Sequence, residues 1–230
     1  MTAQENRAPK GMVLATSLPD WGEKTVLKYM HKQHADSLLS GNLRFSAASS
    51  YWEMEYPIGD PRELRSSVHI ASYSPRAQDG LSPFGPQVRG NFTMTNVTFE
   101  HECDDALVSC FTLGSFEETS AGLLNREPFH YDACIEITDL HELLCIASRS
   151  GVLDPGGTGT DAIGGIHAAP VEYMEIDKKN VTQAGWIPPS PFRKSIKYGW
   201  QKEIRVIMPK YCEEAFLRVP EAAHLFRRVV

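Results

Sequence analysis

The sequence is poor in the features that would place it in several large classes. It has no Cys-x-x-Cys pair, and its five cysteines, Cys103, Cys110, Cys134, Cys145 and Cys212, are scattered and odd in number. That usage fits free thiols in a reducing compartment better than a disulfide framework or a structural zinc. No apolar run approaches the roughly 20 residues that a helix needs to cross a bilayer. Residues 1–10 lack the apolar segment of a secretory signal. Positive charge is in deficit: 23 lysines and arginines face 29 aspartates and glutamates, for a net charge of −6. This balance argues against a dedicated nucleic-acid-binding protein. There is no Gly-x-Ser-x-Gly elbow to support a serine hydrolase. The glycine-rich stretch 151–165 lacks the Gly-Lys-Ser/Thr ending of a phosphate loop and reads as a mobile loop. A cytoplasmic location, away from membranes, is the expectation.

What is present suffices for a core. Hydrophobic residues make up 42% of the chain and aromatics 10%, in the range of folded domains. Residues 1–22, broken by Pro9, Gly11 and Pro19, read as a loose arm, and 23–230 as one domain. Residues 25–30 read as a strand and 32–40 as a helix stopped by Gly41-Asn42. A strand at 43–46 with Leu43 and Phe45 inward follows. Prolines and glycines make 71–90 a long irregular loop. Strands are expected at 91–100 and 131–138, and a buried one at 106–113. A helix at 139–147, a strand at 168–176 and an extended connector at 187–191 complete the pattern. Many short strands with few helices give an α+β class with mixed or antiparallel sheets.

The stretch 198–209 is the strongest candidate for chemistry. Ile204, Val206 and Met208 alternate inward, which leaves Gln201, Glu203 and Arg205 together on the other face, toward water or a cleft. The plain alternative is a surface ion pair between Glu203 and Arg205, worth roughly 0–1 kcal/mol. Tyr51, Trp52 and Tyr56 are either core or a platform for a flat heterocycle. His31 and His34 share a spacing that suits metal binding, but no further ligand lies near in sequence and no metal is expected. Cys110, in its apolar run, reads as an inert thiol. Arg193, Lys194, Lys197 and Lys202 form a basic patch beside the candidate pair.

Two resemblances extend this reading. Gln201-Lys202-Glu203-Ile204, running on to Val206-Ile207-Met208-Pro209, resembles the Gln-x-Glu strand of ADP-ribosyltransferases. The opening unit of strand, helix and Ser40-Gly41-Asn42-Leu43-Arg44-Phe45-Ser46 is similar to the start of that fold. The chain also resembles a widespread bacterial family of unknown function linked to phage defence. That likeness is carried by Lys28-Tyr29, Leu43 to Ser46, Gly59-Asp60-Pro61-Arg62-Glu63, Cys110-Phe111-Thr112 and Gln201 to Arg205. Where the transferases carry Arg or His on the first strand, this chain offers Lys28, Tyr29 and His31. In place of a Ser-Thr-Ser triplet it has Ser46, Ser49 and Ser50.

The resemblance implies NAD as substrate and an acceptor that is a protein or a nucleic acid. Glu203 would bind the 2′-hydroxyl of the nicotinamide ribose and stabilise the charge that develops as the glycosidic bond breaks. Gln201 would position the acceptor nucleophile. Tyr29, Tyr51 or Trp52 would stack on nicotinamide, and Lys28 or Arg44 would neutralise pyrophosphate, with Ser46 and Ser49 nearby. A toxin or phage-defence effector, held by a neutralising partner protein, would fit such an activity. The alternatives are a non-catalytic nucleotide-binding or regulatory module of the same fold and a nucleic-acid-targeting effector. Glu203→Gln is expected to abolish turnover and leave folding intact.

Overall fold

The computed structural model describes residues 25–52, 60, 64–73, 94–125, 127, 129–154, 165–175, 177–178 and 190–230. The arm at 1–22, most of the loop expected at 71–90, residues 155–164 and the connector at 187–189 lie outside the described residues. In chain order the strands and helices are β1 (Val26–Met30), α1 (Lys32–Leu39), β2 (Asn42–Ala47), β3 (Arg65–Tyr73), β4 (Met94–Glu102) and β5 (Ala106–Leu113). Then come α2 (Phe116–Leu123), β6 (Ala133–Ile137), α3 (Leu140–Ser150), β7 (Val152–Asp154), β8 (His167–Pro170), β9 (Glu172–Met174) and β10 (Asp177–Lys178). The last strands are β11 (Arg193–Ser195), β12 (Glu203–Pro209), β13 (Glu214–Arg218) and β14 (Phe226–Arg228), and 3₁₀ turns occupy Ala48–Tyr51, Ile196–Gln201 and Pro220–Leu225. The class is mixed α+β and mostly antiparallel, as the short alternating runs imply.

The main sheet forks at β5. One edge of β5 pairs along its length with β12, from Thr112 opposite Glu203 to Ala106 opposite Pro209. The other edge is shared. β1 pairs only at Leu113 and Thr112, and β2 only at Val108 and Leu107. From β1 the sheet continues through β6 to β14; from β2 it continues through β13 to β7. Ser109, Cys110 and Phe111 therefore have neither β1 nor β2 beside them. A β-strand left open in this way exposes backbone donors and acceptors that must find partners.

Helices close the core. Leu140, Leu143, Leu144, Ile146 and Ala147 of α3 are buried with Ala35 and Leu38 of α1 against Phe45, Ile135 and Leu217. Each such leucine, fully buried, contributes roughly 1.5–3 kcal/mol. Asp139 caps α3 by accepting from the Glu142 amide at 2.8 Å. Gly41 turns the chain from α1 into β2 at φ 84°, a conformation that a side chain disfavours.

Four local expectations are corrected. The strand expected at 168–176 is broken into β8, which pairs with β12, and β9, which pairs with β11. The break falls at Val171, between the two strands, whose N–H still donates to the Glu203 carbonyl at 2.9 Å. Residues 71–73, expected to begin a loop, are the end of β3, whose hairpin with β4 runs from Arg65↔Glu102 to Tyr73↔Met94. Helix α2 was not expected, although Ser115-Phe116-Glu117-Glu118 carries the Ser-x-x-Glu signature of a helix start. Ser115 Oγ indeed accepts from the Glu118 amide at 3.3 Å. Finally, β12 begins at Glu203, as expected, but strand alternation does not extend back to Gln201. Gln201 ends a 3₁₀ turn, and Lys202 between them is left-handed at φ 46°. That kink, rather than strand alternation, brings Gln201 and Glu203 to the same side.

Candidate functional site

The fork in the sheet is where the polar residues gather. Lys28 of β1 reaches across the gap and donates to the Cys110 carbonyl at 2.6 Å and to Ser109 Oγ at 3.4 Å. Its ammonium stands 5.0 Å from the Phe111 ring centroid. A lysine thus satisfies one carbonyl of the β5 edge that neither β1 nor β2 covers.

Glu203 stands at the head of β12, one strand away. Its two carboxylate oxygens are divided between two cations. Lys194 Nζ donates to Oε1 at 2.7 Å, and Arg205 Nε donates to Oε2 at 2.9 Å. Lys194 also donates to Gln201 Oε1 at 2.8 Å and lies 4.7 Å from the Tyr198 ring centroid. Arg205 Nη1 donates to the Pro191 carbonyl at 2.6 Å. The Glu203 amide donates to the Tyr173 hydroxyl at 2.7 Å. All four charged or amide residues are buried, Arg205 most of all at 2% exposed. The surface ion pair of the plain reading is therefore an interior one, with a second cation.

Electrostatics follow from this packing. Burial alone would raise the Glu203 carboxyl, but Arg205 and Lys194 outweigh it and hold the group at about 2. Glu203 is an anion at any physiological pH, hence a charge and an acceptor rather than a base. Burial pushes the Cys110 thiol up to about 11 and the Tyr131 hydroxyl up to about 12. Burial likewise raises Tyr51. Burial, with Glu203, thus keeps Cys110 a neutral thiol against the pull of Arg205, Lys28 and Lys194. Lys28 moves the other way, lowered chiefly by burial and also by Arg44, against the opposing pull of Cys110 and Glu203.

Two adjoining cavities use these residues. One of about 140 Å³ is floored by Gln201, Glu203, Lys194 and Arg205. The other, of about 220 Å³, runs past α1 and β2 and is lined by His31, His34, Arg44 and Ser46. Lys28, Tyr29, Tyr51, Cys110, Phe111 and Tyr131 border both and form the neck between them.

Most residues singled out from the sequence converge here. Glu203 and Gln201 share the smaller cavity with Lys28, Tyr29 and Tyr51, while His31, Arg44 and Ser46 line the larger one. Ser49 and Trp52 lie elsewhere. The Ser49 hydroxyl and amide both donate to Asp105, and the Trp52 ring lies 3.4 Å under the Arg65 guanidinium. Of the basic patch, Lys194 is buried, Arg193 pairs with Glu172 at 3.1 Å, Lys202 pairs with Glu118 at 3.5 Å, and exposed Lys197 lies 4.8 Å from the Tyr198 ring centroid. Lys194 and Tyr131 are site residues that sequence reasoning missed. Tyr131 was read only as the start of a strand, and Lys194 only as surface charge. Nothing in the sequence near Lys194 marks it as buried. Among the described residues no group of three or more histidines, cysteines, aspartates or glutamates is placed to hold a metal ion. No helix among them is long and apolar enough to cross a membrane.

No protein-family model matches the chain, and neither a curated protein nor a solved structure matches it. Its function rests on the site itself.

Proposed function

We propose that the protein is an NAD-dependent ADP-ribosyltransferase with an ADP-ribosyltransferase-like fold, and that Glu203 is its catalytic carboxylate. The observation that carries this reading is the position of Glu203. It is a permanently ionised carboxylate at the head of its strand, on the floor of a cavity that also holds Gln201 and the first-strand residues Lys28 and Tyr29. A carboxylate oxygen has two acceptor sites, so Oε1 and Oε2, each holding one cation, can each take one further donor. The 2′-hydroxyl of a ribose would supply it. Departure of nicotinamide leaves positive charge on that ribose, and a fixed anion beside it stabilises the transition state more than the ground state.

The other groups fall into supporting roles. Lys194 and Arg205 hold the carboxylate in place and ionised. Tyr51 and Tyr131, kept neutral by their raised pKa values, offer aromatic faces and hydroxyl donors at the neck. Gln201, anchored to Lys194, is held beside the carboxylate, where an acceptor would attack. The acceptor is a protein side chain or a nucleic acid group. Nicotinamide release from NAD tests the first half of the reaction. Transfer of labelled ADP-ribose onto a lysate component tests the second.

A second reading is favoured by one feature, that Glu203 is tied at both oxygens. A non-catalytic module of the same fold would use the ion cluster as a rigid floor and bind a nucleotide without turning it over. Calorimetry showing NAD binding with no nicotinamide release would select it.

A further inference from the structure

The floor of the smaller cavity carries more positive than negative charge. Lys194 and Arg205 both bind Glu203, at 2.7 and 2.9 Å. Glu203 is the only acid among the described residues that line this cavity. All three side chains are buried, so dissolved salt does little to screen the excess.

The same residues leave the floor without a base. Both Glu203 oxygens hold cations, and the carboxyl stays ionised down to about 2, so it takes no proton from a nucleophile. Burial keeps the Cys110 thiol and the Tyr131 hydroxyl protonated. Lys28, at the neck, donates to the Cys110 carbonyl at 2.6 Å and so is turned toward β5. No histidine or aspartate among the described residues lines this cavity. Gln201 is set to the same end. An ammonium has only protons to give, so the amide oxygen faces Lys194 at 2.8 Å and the two N–H groups occupy the other branch of the amide. A hydroxyl, ammonium or guanidinium acceptor must shed a proton in order to attack, whereas a carboxylate is ionised beforehand.

We infer that the acceptor is a protein carboxylate, the side chain of an aspartate or glutamate, and that the product is an ADP-ribosyl ester. The inference rests on the transferase reading and names the acceptor class that reading leaves open. An acceptor carboxylate supplies the negative charge that the floor lacks and is the natural partner of its N–H donors. The bond from the anomeric carbon to nicotinamide breaks with its electron pair on nicotinamide, which leaves neutral. One carboxylate oxygen forms the new bond to that carbon, its negative charge cancels the positive one, and no proton moves. A phosphodiester is anionic too, but a nucleic acid is gathered by an exposed basic field. This chain has a net charge of −6, Lys194 is buried, and Arg193 and Lys202 are paired with glutamates.

The test reads the linkage. The full chain is incubated with cell lysate and NAD labelled in its adenylate half, and the labelled material is treated with neutral hydroxylamine. Hydroxylamine cleaves an ester and leaves a hydroxamate on the acceptor carbon, which peptide mass spectrometry assigns to a residue. The expected result is protein-bound label released by hydroxylamine, with hydroxamates on aspartate or glutamate. Gln201→Glu places a like charge beside the acceptor, so the ratio of protein label to nicotinamide released should fall about tenfold or more. Circular dichroism reports its folding. Label that resists hydroxylamine, label on arginine without a hydroxamate, label in nucleic acid, or an unchanged ratio in Gln201→Glu would each overturn the inference and leave the transferase reading standing. Nicotinamide release with no labelled macromolecule would make water the acceptor and overturn it as well. Absence of nicotinamide release would remove the transferase reading and the inference together.

Discussion

Lys194 and Glu203 meet at 2.7 Å inside the protein, with side chains only 5% and 9% exposed. Nine residues apart in sequence, they come from β11 and β12, which belong to different sheets. The contact ties the short β9–β11 pair to the main sheet at the point where the proposed chemistry occurs.

Removing one partner leaves the other buried with its charge reduced in compensation, so Lys194→Met should cost roughly 3–5 kcal/mol. The half-exposed pair Arg44–Glu214 is a control, because its loss should cost only about 0–1 kcal/mol. Urea unfolding of both variants measures the contrast. Equal midpoints would show that the Lys194–Glu203 contact is not the tie described.

The same cluster predicts an acid limb. The Glu203 carboxyl falls from an ordinary 4.5 to about 2 on folding. A depressed folded value adds stability that is complete above the unfolded pKa and is lost as pH falls through the folded one. The window is therefore pH 4.5 down to 2, and the linked free energy is on the order of 3 kcal/mol. Glu203→Gln should be less stable at pH 7 and should lose less on acidification across that window. Parallel pH dependences for the two proteins would contradict this assignment.

That expectation revises the simpler one drawn from shape alone. Gln is nearly isosteric with Glu, but it leaves Lys194 and Arg205 facing a neutral amide. Folding is not left intact in energy, even where it is left intact in shape. Which part of the site the sequence could reveal follows the same division. Alternation made Ile204, Val206 and Met208 core and left Glu203 and Arg205 on the opposite face, because a period of two is local. It could not show that this face is an interior one. The cation that reaches Glu203 and Gln201 together comes from β11, and burial of a lysine leaves no local pattern. The fork was hidden for a related reason: β1 and β2 each read as an ordinary strand, and only pairing shows that they part at Ser109. Helix α2 was legible in its Ser115–Glu118 start, but its eight residues carry too little periodicity to stand out.

Two glycines give opposite expectations for alanine. Gly41 combines φ 84° with a backbone carbonyl, that of Val219, where a Cβ would sit. Gly41→Ala should lose at least about 2 kcal/mol from conformation and clash. Gly122 lies in α2, where a Cβ would meet only the Trp200 ring at 3.9 Å. Gly122→Ala should therefore gain about 0.5–1 kcal/mol. Thermal melts of the pair check both signs.

Tyr29 offers a separate probe of the β1 wall. Its hydroxyl is 2.7 Å from Thr119 Oγ1 in a buried contact, and burial holds its pKa up at about 12. Tyr29→Phe should cost about 1 kcal/mol through loss of that hydrogen bond, while Thr119 keeps its bond to the Ser115 carbonyl at 2.8 Å. Ultraviolet titration should show one fewer tyrosine ionising near pH 12; a loss near the ordinary value of about 10 instead would place Tyr29 outside the core.

The central claim is that Glu203 stabilises a developing positive charge on a ribose. Its most direct measure is the rate of nicotinamide release from NAD by wild-type protein and Glu203→Gln, each verified as folded at the assay temperature. The account predicts release by the wild type and a loss of about 100-fold or more in the variant, with NAD binding retained. A folded variant that releases nicotinamide at the wild-type rate would contradict it.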